Sequence, residues 1–583
     1  MFSIILVLLT GFLTPAIAKL HVHDSTFVPD KILRITAENI THGCLSRYSV
    51  LVNGTAPGPE LRFEEGQTRW IRVYNDMEDM NLTMHWHGLS IAGYPFSDGT
   101  PQASQWPIPP KYYFDYELHF QPGQAGTYFY HSHINFQAVS CSGPLIIEER
   151  TKPPYDYDEE RMVYLSDVFN LTDGQIFDGL TANPFVWSGE TNGVLINGKG
   201  VANTVLNGSC DLAAIAVQPG KTYRFRFIGA TALSLVSLAF EGHNLSIIEA
   251  DGGYTKPLHT SFMQIGPGQR FSALLTTKTC EELQDKLRYW IQLETRERPA
   301  LYRGYGVLAY SDECGIQAPS TQAPSTPPLT LPNTSLGWLD YELQPLSPNL
   351  FPTLKEVTRR VTITVQQIVN GSITWTENGL SWTEAFPRMP YLVAMYEHDK
   401  NALPNYADAV ANGGMDNRTR AFPAKLGEVL EIVIQNSGAT NGGLDVHPFH
   451  AHGAHIWDIG SGNGSYDVQA NEERLKSTNP VRRDTTMLYR YETTTTPGKD
   501  SGWRAWRLRV TEAGVWMIHC HTLQHMIMGM QTVWVFGDPS DILKLPRPRV
   551  EGYLTYGGGE RPFPCAYGNA TYDPKMIHWD EEL

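Results

Sequence analysis

Two stretches decide the fold: PGQAGTYFYHSH, Pro122–His133, and TEAGVWMIHCH, Thr511–His521. Each runs Ala-Gly, then an aromatic-rich segment, then His-x-His. In an extended strand residues i and i+2 project from the same face, so each stretch delivers two imidazoles side by side. A weaker repeat surrounds them. LVNGTAPGPELRFEEGQTRWIRVYND (Leu51–Asp76) returns as LINGKG…IAVQPGKTYRFRFIGA, ending at Ala230, and as AKLGEVLEIVIQNS (Ala424–Ser437). Each version sets a Gly-centred turn before a period-2 alternation of apolar and polar residues, the mark of a half-buried strand. Helical periodicity is rare and turn signals are frequent, so the pattern predicts duplicated, antiparallel β-sandwiches.

At 583 residues the chain exceeds what one core supports. The repeats predict three domains, over residues 19–155, 156–315 and 353–583. The Pro-, Ser- and Thr-rich stretch from Ile316 to Asn349 reads as a linker, bounded at 316–352. A hydrophobic share of 42% supplies several cores. A formal charge of −16 argues against nucleic acid or an anionic membrane as partner, and fits a small neutral or cationic molecule.

MFSIILVLLTGFLTPAIA reads as a signal peptide, residues 1–18, with an Ala-x-Ala end. It is too short for a membrane anchor, and no later apolar run is long enough, so the mature chain is expected to be secreted and soluble. Eleven N-x-[S/T] sequons, at Asn39, Asn53, Asn81, Asn170, Asn207, Asn244, Asn333, Asn370, Asn417, Asn463 and Asn569, suit a glycoprotein. Of seven cysteines, Cys520 lies between histidines, which leaves six for disulfides: Cys44, Cys141, Cys210, Cys280, Cys314 and Cys565. The end, Asp580-Glu581-Glu582-Leu583, resembles a retention tail without matching it, and reads equally as an acidic solvated terminus.

Ten of the nineteen histidines fall into four clusters. The first domain holds MHWHG (His85, His87) and YHSH (His131, His133). The third holds HPFHAH (His447, His450, His452) and HCHTLQHMIMGM (His519, His521, His525). A lone histidine is usually a surface or core residue; four clusters of matching spacing point to a polynuclear metal site. Cys520, His525 and Met530 follow C-x4-H-x4-M, with His447 on a preceding strand. Two imidazoles and a thiolate with a weak axial thioether describe a blue copper centre, whereas structural zinc would call for more thiolates. Strand alternation turns Cys520 to one face and His519 and His521 to the other, so one backbone segment joins two metal centres.

These four motifs resemble those of the multicopper oxidases over essentially the whole mature chain. The resemblance implies three cupredoxin-like Greek-key β-sandwich domains and four copper ions. One type 1 copper would take His447, Cys520, His525 and Met530; one type 2 copper, His85 and His450. Two type 3 coppers would take His87, His131, His133, His452, His519 and His521. It also implies one-electron oxidation of a substrate, with electrons passing from Cys520 through His519 and His521, and reduction of O2 to water. Asp98, in PFSDGTP, matches an acid thought to serve protonation in the family; an Asp-Gly turn residue is the other reading.

Within the superfamily the chain is most similar to fungal laccase-like and ascorbate-oxidase-like enzymes. The resemblance implies a phenolic or aromatic donor, with radical coupling in fungal biosynthesis one version, and ascorbate as the alternative. A ferroxidase would need acidic residues aimed at the type 1 copper, and a bare copper carrier would need only the type 1 set. The resemblance further implies the disulfides Cys44–Cys210 and Cys280–Cys314. Trp106 stands where relatives often have a cysteine that pairs with the C-terminal region, which leaves Cys141 for Cys565. Met530 stands where many laccases have Leu or Phe, and HGAHIW places Ala454 and His455 where His-Gly-His is common.

Overall fold

The computed structural model describes residues 27–203, 210–316, 324–399, 402–546 and 551–556. The expected leader 1–18, Cys565, the acidic tail and the sequons at Asn207 and Asn569 lie outside the described residues. Among the described residues no helix is long and apolar enough to cross a membrane.

Six sheets pair into three cupredoxin-like sandwiches. In the first, Leu45–Val52, Lys31–His42, Thr68–Asn75 and Tyr113–His119 form one sheet, and Leu61–Glu64, Ser142–Glu148, Gly126–His131 and His85–His87 the other. The weak repeat has a structural meaning. Thr68–Asn75, Thr222–Gly229 and Val429–Ser437 occupy equivalent places in their domains. Each lies parallel to a long early strand (Lys31–His42, Glu159–Val168, Arg359–Asn370) and antiparallel to a later one (Tyr113–His119, Arg270–Thr276, Asp500–Arg509). The expected Greek-key β-sandwiches are present, with parallel pairs set among the antiparallel ones. A Greek-key chain crosses between sheets and returns beside its own first strand, which makes some pairs parallel.

Alternation puts Leu33, Ile35, Ile71 and Val73 inside the first sandwich and Ile363, Val365, Ile432 and Ile434 inside the third. Buried residues of the first and third domains form one continuous apolar cluster, while the second domain has its own. Histidines of these two domains come together, His85 with His450 and His133 with His519.

The Pro-rich connection is packed where it is described. Leu331, Leu339 and Leu343 are buried, Trp338 stands edge-on to Phe271 at 5.4 Å, and Asp340 pairs with Arg504 at 3.1 Å. Cys44–Cys210 and Cys280–Cys314 are bonded. Cys141 is buried with a free thiol among the described residues, and its suggested partner Cys565 lies outside them. Trp106 meets the C-terminal segment without a disulfide: its Nε1 donates to the Leu554 carbonyl at 3.1 Å and its ring stands edge-on to Tyr556.

Candidate metal centre

Two adjacent strands in each outer domain carry six of the ten histidines, and His133, His452 and His521 lie just past strand ends. His85–His87 pairs with Gly126–His131, setting His85 opposite His131. His447–Ala451 pairs with Gly514–Cys520, setting His450 opposite His519 and Phe449 opposite Cys520. This register sends Cys520 to one side of its strand and His519 and His521 to the other.

On the first side, His447 Nδ1 and His525 Nδ1 lie 3.0 Å apart, and Cys520 Sγ is 3.8 and 3.7 Å from them. His525 comes from the short helix Leu523–Ile527. The chain then folds back: the Met530 N–H donates to the His525 carbonyl at 3.0 Å, and the Cys520 N–H to the Met530 carbonyl at 3.1 Å. Met530 is wholly buried beside the site. Trp375 stands 4.8 Å from the His447 ring and 4.9 Å from the His525 ring. Burial pushes the Cys520 thiol pKa up and the His447 imidazole well down, the latter aided by His525. Without a cation the thiol keeps its proton; a bound metal displaces it.

On the other side the remaining eight histidines converge. His85, His87 and His450 form one group, His87, His131 and His521 a second, and His133, His452 and His519 a third. Their outer nitrogens define their tautomers. His131 and His519 donate from Nδ1 to the carbonyls of Ser132 and Cys520, both at 2.9 Å. His450 donates to the Asp484 carbonyl at 3.0 Å, His85 to the Asp98 carbonyl at 2.6 Å, and His452 to Asp98 Oδ2 at 3.0 Å. Their Nε2 atoms then carry lone pairs, and they meet other Nε2 atoms: His85–His450 at 3.5 Å, His131–His521 at 3.4 Å, His133–His519 at 3.4 Å and His452–His519 at 3.0 Å. His87 is reversed. Its Nε2 faces Thr485 Oγ1 at 3.1 Å, and its buried Nδ1 has no hydrogen-bond partner.

Facing lone pairs cannot bond each other; a cation between them satisfies both. Burial, first of all, holds His85, His87, His133, His452 and His521 well below the usual imidazole range, and brings His131 to about 4 and His519 to about 3. These rings are neutral at physiological pH, with lone pairs that could bind a metal ion. An all-imidazole set beside a thiolate with two imidazoles fits copper.

Asp98 is wholly buried at this cluster. Its Oδ2 accepts from Thr100 Oγ1 at 2.9 Å as well as from His452, while Oδ1 has no hydrogen-bond partner. Burial raises its pKa, against the opposing pull of His85 and Thr100.

The sequence reading missed three charged residues. Asp484 lies within 3.3 Å of ring nitrogens of His87, His450 and His455, and Arg270 clasps it through both guanidinium arms. Burial alone would raise the Asp484 pKa, but Arg270 holds it well below the usual range. Asp445 Oδ2 is 3.5 Å from His525 Nε2. A polar run, Arg482-Arg483-Asp484-Thr485, in a strand-rich region is the signal that could have flagged Asp484. Asp445, two residues before His447, had only its proximity.

Multicopper oxidase family models match residues 34–152, 159–313 and 387–540. Laccase-like multicopper oxidase 1 of Thermothelomyces thermophilus is 46% identical, covering 99% of this chain and 96% of its own length. An L-ascorbate oxidase of Cucumis sativus is 30% identical over 85% of this chain and 86% of its own. The laccase of Botrytis aclada superposes with a TM-score of 0.70 at 24% identity, over 88% of each chain, which shows a shared fold. On the motifs, the converging donor atoms and these matches, the chain belongs to the multicopper oxidases.

Proposed function

We propose that the protein is a secreted oxidase of laccase type, taking single electrons from phenolic or other aromatic donors and reducing O2 to water. One observation carries this reading: Cys520 Sγ sits with His447 and His525, while its chain neighbours His519 and His521 enter the eight-histidine cluster. Copper, when bound, supplies one-electron transfer at the first site and O2 reduction at the second. His447, Cys520, His525 and Met530 would hold the type 1 ion, and His85 and His450 the type 2 ion. His87, His131, His133, His452, His519 and His521 would hold the type 3 pair.

The chain's own residues do the rest. The Cys520 backbone joins the two sites through covalent bonds alone. Trp375 covers the paired rings of His447 and His525 and limits water there. Asp98, with one oxygen bonded to Thr100 and His452 and the other uncommitted, is placed to hold a proton at Oδ1 beside the cluster. Four donors each give up one electron and one proton, and O2 takes up all eight.

Asp445 is the carboxylate that meets His525, its Oδ2 3.5 Å from Nε2, and Glu190 shares its arginine partner. Arg298 engages both, Glu190 at 2.7 Å and Asp445 at 3.3 Å, and its positive charge opposes a cationic donor. Ascorbate remains the second reading, favoured by the ascorbate-oxidase kinship. Eight of the nine described sequon asparagines are exposed, Asn81 being half-buried, which supports glycosylation and hence secretion.

Oxygen uptake with a phenol, ascorbate and Fe(II) side by side tests the proposal. Rapid turnover of ascorbate without phenol turnover would replace the donor assignment. One copper per chain, in place of four, would sink the oxidase reading.

A further inference from the structure

We propose that Arg270, in a domain that supplies none of the assigned copper ligands, positions the histidine cluster through Asp484. The inference rests on the ligand assignment above. Arg270 lies on the strand Arg270–Thr276 of the second domain and is wholly buried. Its Nη1 donates to Asp484 Oδ1 at 2.6 Å and its Nη2 to Asp484 Oδ2 at 2.5 Å, a bidentate clasp. The same guanidinium donates to the Gly268 carbonyl at 2.9 Å and to the Thr127 carbonyl at 3.2 Å, on the strand that ends in His131. Three domains thus meet at one side chain.

Asp484 in turn addresses two cluster histidines through the nitrogens turned away from the metal. Its carbonyl accepts from His450 Nδ1 at 3.0 Å, and its Oδ1 lies 3.3 Å from both His450 Nδ1 and His87 Nε2. The two rings stack at 3.7 Å, 13° from coplanar. His455 Nε2 adds a contact to Asp484 Oδ2 at 3.3 Å.

The backbone is shaped around this clasp. A Cβ on Gly88, the residue after His87, would fall 2.2 Å from Arg270 Nη2 and 2.9 Å from Asp484 Oδ2. A Cβ on Gly268 would meet His87 Cε1 at 3.0 Å and His521 Cδ2 at 3.1 Å. The second domain therefore packs directly on ligand rings and holds the carboxylate beside two of them, where Thr485 Oγ1, 3.1 Å from His87 Nε2 and from His450 Nδ1, donates to Asp484 Oδ1 at 2.8 Å. Groups that hold metal-bound imidazoles typically change metal affinity by ~10–100-fold when removed. The type 2 ion, with two protein ligands, should respond most.

The test is an EDTA titration of the copper-loaded enzyme, following the type 2 signal by electron paramagnetic resonance and the copper–thiolate absorption in the same samples. In Arg270→Gln the EDTA concentration that removes half of the type 2 copper should fall by ~10–100-fold, with the thiolate absorption unchanged. Asp484→Asn should fall similarly, and the double variant no further than Asp484→Asn alone, because Arg270 acts through Asp484. Arg270→Lys, which keeps the charge but loses the fork, should lie between. A parental midpoint in Arg270→Gln, or additive losses in the double variant, overturns the proposal. If Arg270→Gln does not fold, a parental midpoint in Arg270→Lys overturns it equally. Absence of a type 2 signal from the unmutated enzyme would instead sink the ligand assignment itself.

Discussion

Asp167→Asn should weaken the protein at the place where the second domain holds His525. Asp167 Oδ2 accepts from the N–H groups of Ala232, Leu233 and Ser234 at 2.9, 2.8 and 3.1 Å, and Oδ1 accepts from Ser234 Oγ at 2.6 Å. The loop so gathered offers its Ala232 carbonyl to the Leu523 N–H at 2.9 Å. Leu523 opens the helix Leu523–Ile527, and Thr522 before it makes no side-chain cap. A helix of that length has no stability of its own, so its start depends on this neighbour.

An amide at position 167 turns charge-assisted bonds into neutral ones and leaves an NH2 to be accommodated. Bonds to a charged group contribute ~1.5–3 kcal/mol and neutral ones ~0.5–1.5, so four weakened bonds and a misplaced NH2, set against relief of a charge whose burial raises the Asp167 pKa, imply a loss of roughly 2–3 kcal/mol. In a domain of this size that lowers the melting temperature by about 4–12 °C. The assay is thermal unfolding of the copper-loaded enzyme, with the thiolate absorption and donor kinetics recorded on the same preparation. His525 should shift, so the absorption moves and kcat falls while copper content holds. Melting within ~1 °C of the parent with an identical spectrum would refute the reasoning.

Cys520→Ser should abolish the copper–thiolate absorption and donor oxidation while the histidine cluster still retains copper by metal analysis; surviving oxidase activity would break the proposed electron path. Gly268→Ala, at φ +84° and against the rings of His87 and His521, should lower the copper content of the eight-histidine cluster, and a full complement would show that the loop can yield. Glu160 bonds Arg226 at 3.0 Å and Arg62 at 3.2 Å; burial alone would raise its pKa, but these cations bring it to about 2. A depressed carboxylate adds stability above its unfolded value of about 4.3 and loses it as pH falls through its folded value. Glu160→Gln should therefore flatten the decline of melting temperature across that acid interval, and an unaltered slope counts against the pairing.

What was legible in the sequence was chemistry carried by neighbours along the chain. His519, Cys520 and His521 declare their two faces by alternation, and HWH and HSH do so by spacing. The repeats around Thr68–Asn75 and Val429–Ser437 marked equivalent strands for the same reason. Arg270 and Asp484 were opaque because their partnership exists only after the second and third domains meet. In GPGQRFSALLTT nothing separates Arg270 from an ordinary strand arginine. Parallel strand pairs were likewise hidden, since they arise from crossovers and not from residue period. Ala454 and His455 were visible as a departure, but the contacts of His455 with Asp484 and the Gly88 carbonyl appear only in the assembled site.

The second domain supplies no assigned copper ligand and has its own apolar core, yet it touches both centres. Arg270 and Gly268 press on the eight-histidine cluster, and Ala232 and Ser188 hold the helix of His525 through Leu523 and Gln524. The covalent link through Cys520 fixes how far apart the two sites lie, but a strand cannot fix the rotation of its imidazoles. That rotation is set by the acceptors behind the rings, and Asp484, one of these, is itself held by the second domain. A three-domain arrangement with ligands in only two is then a division of labour. The outer domains provide donor atoms, and the middle one limits their freedom, so metal retention should be sensitive to residues that never meet the metal.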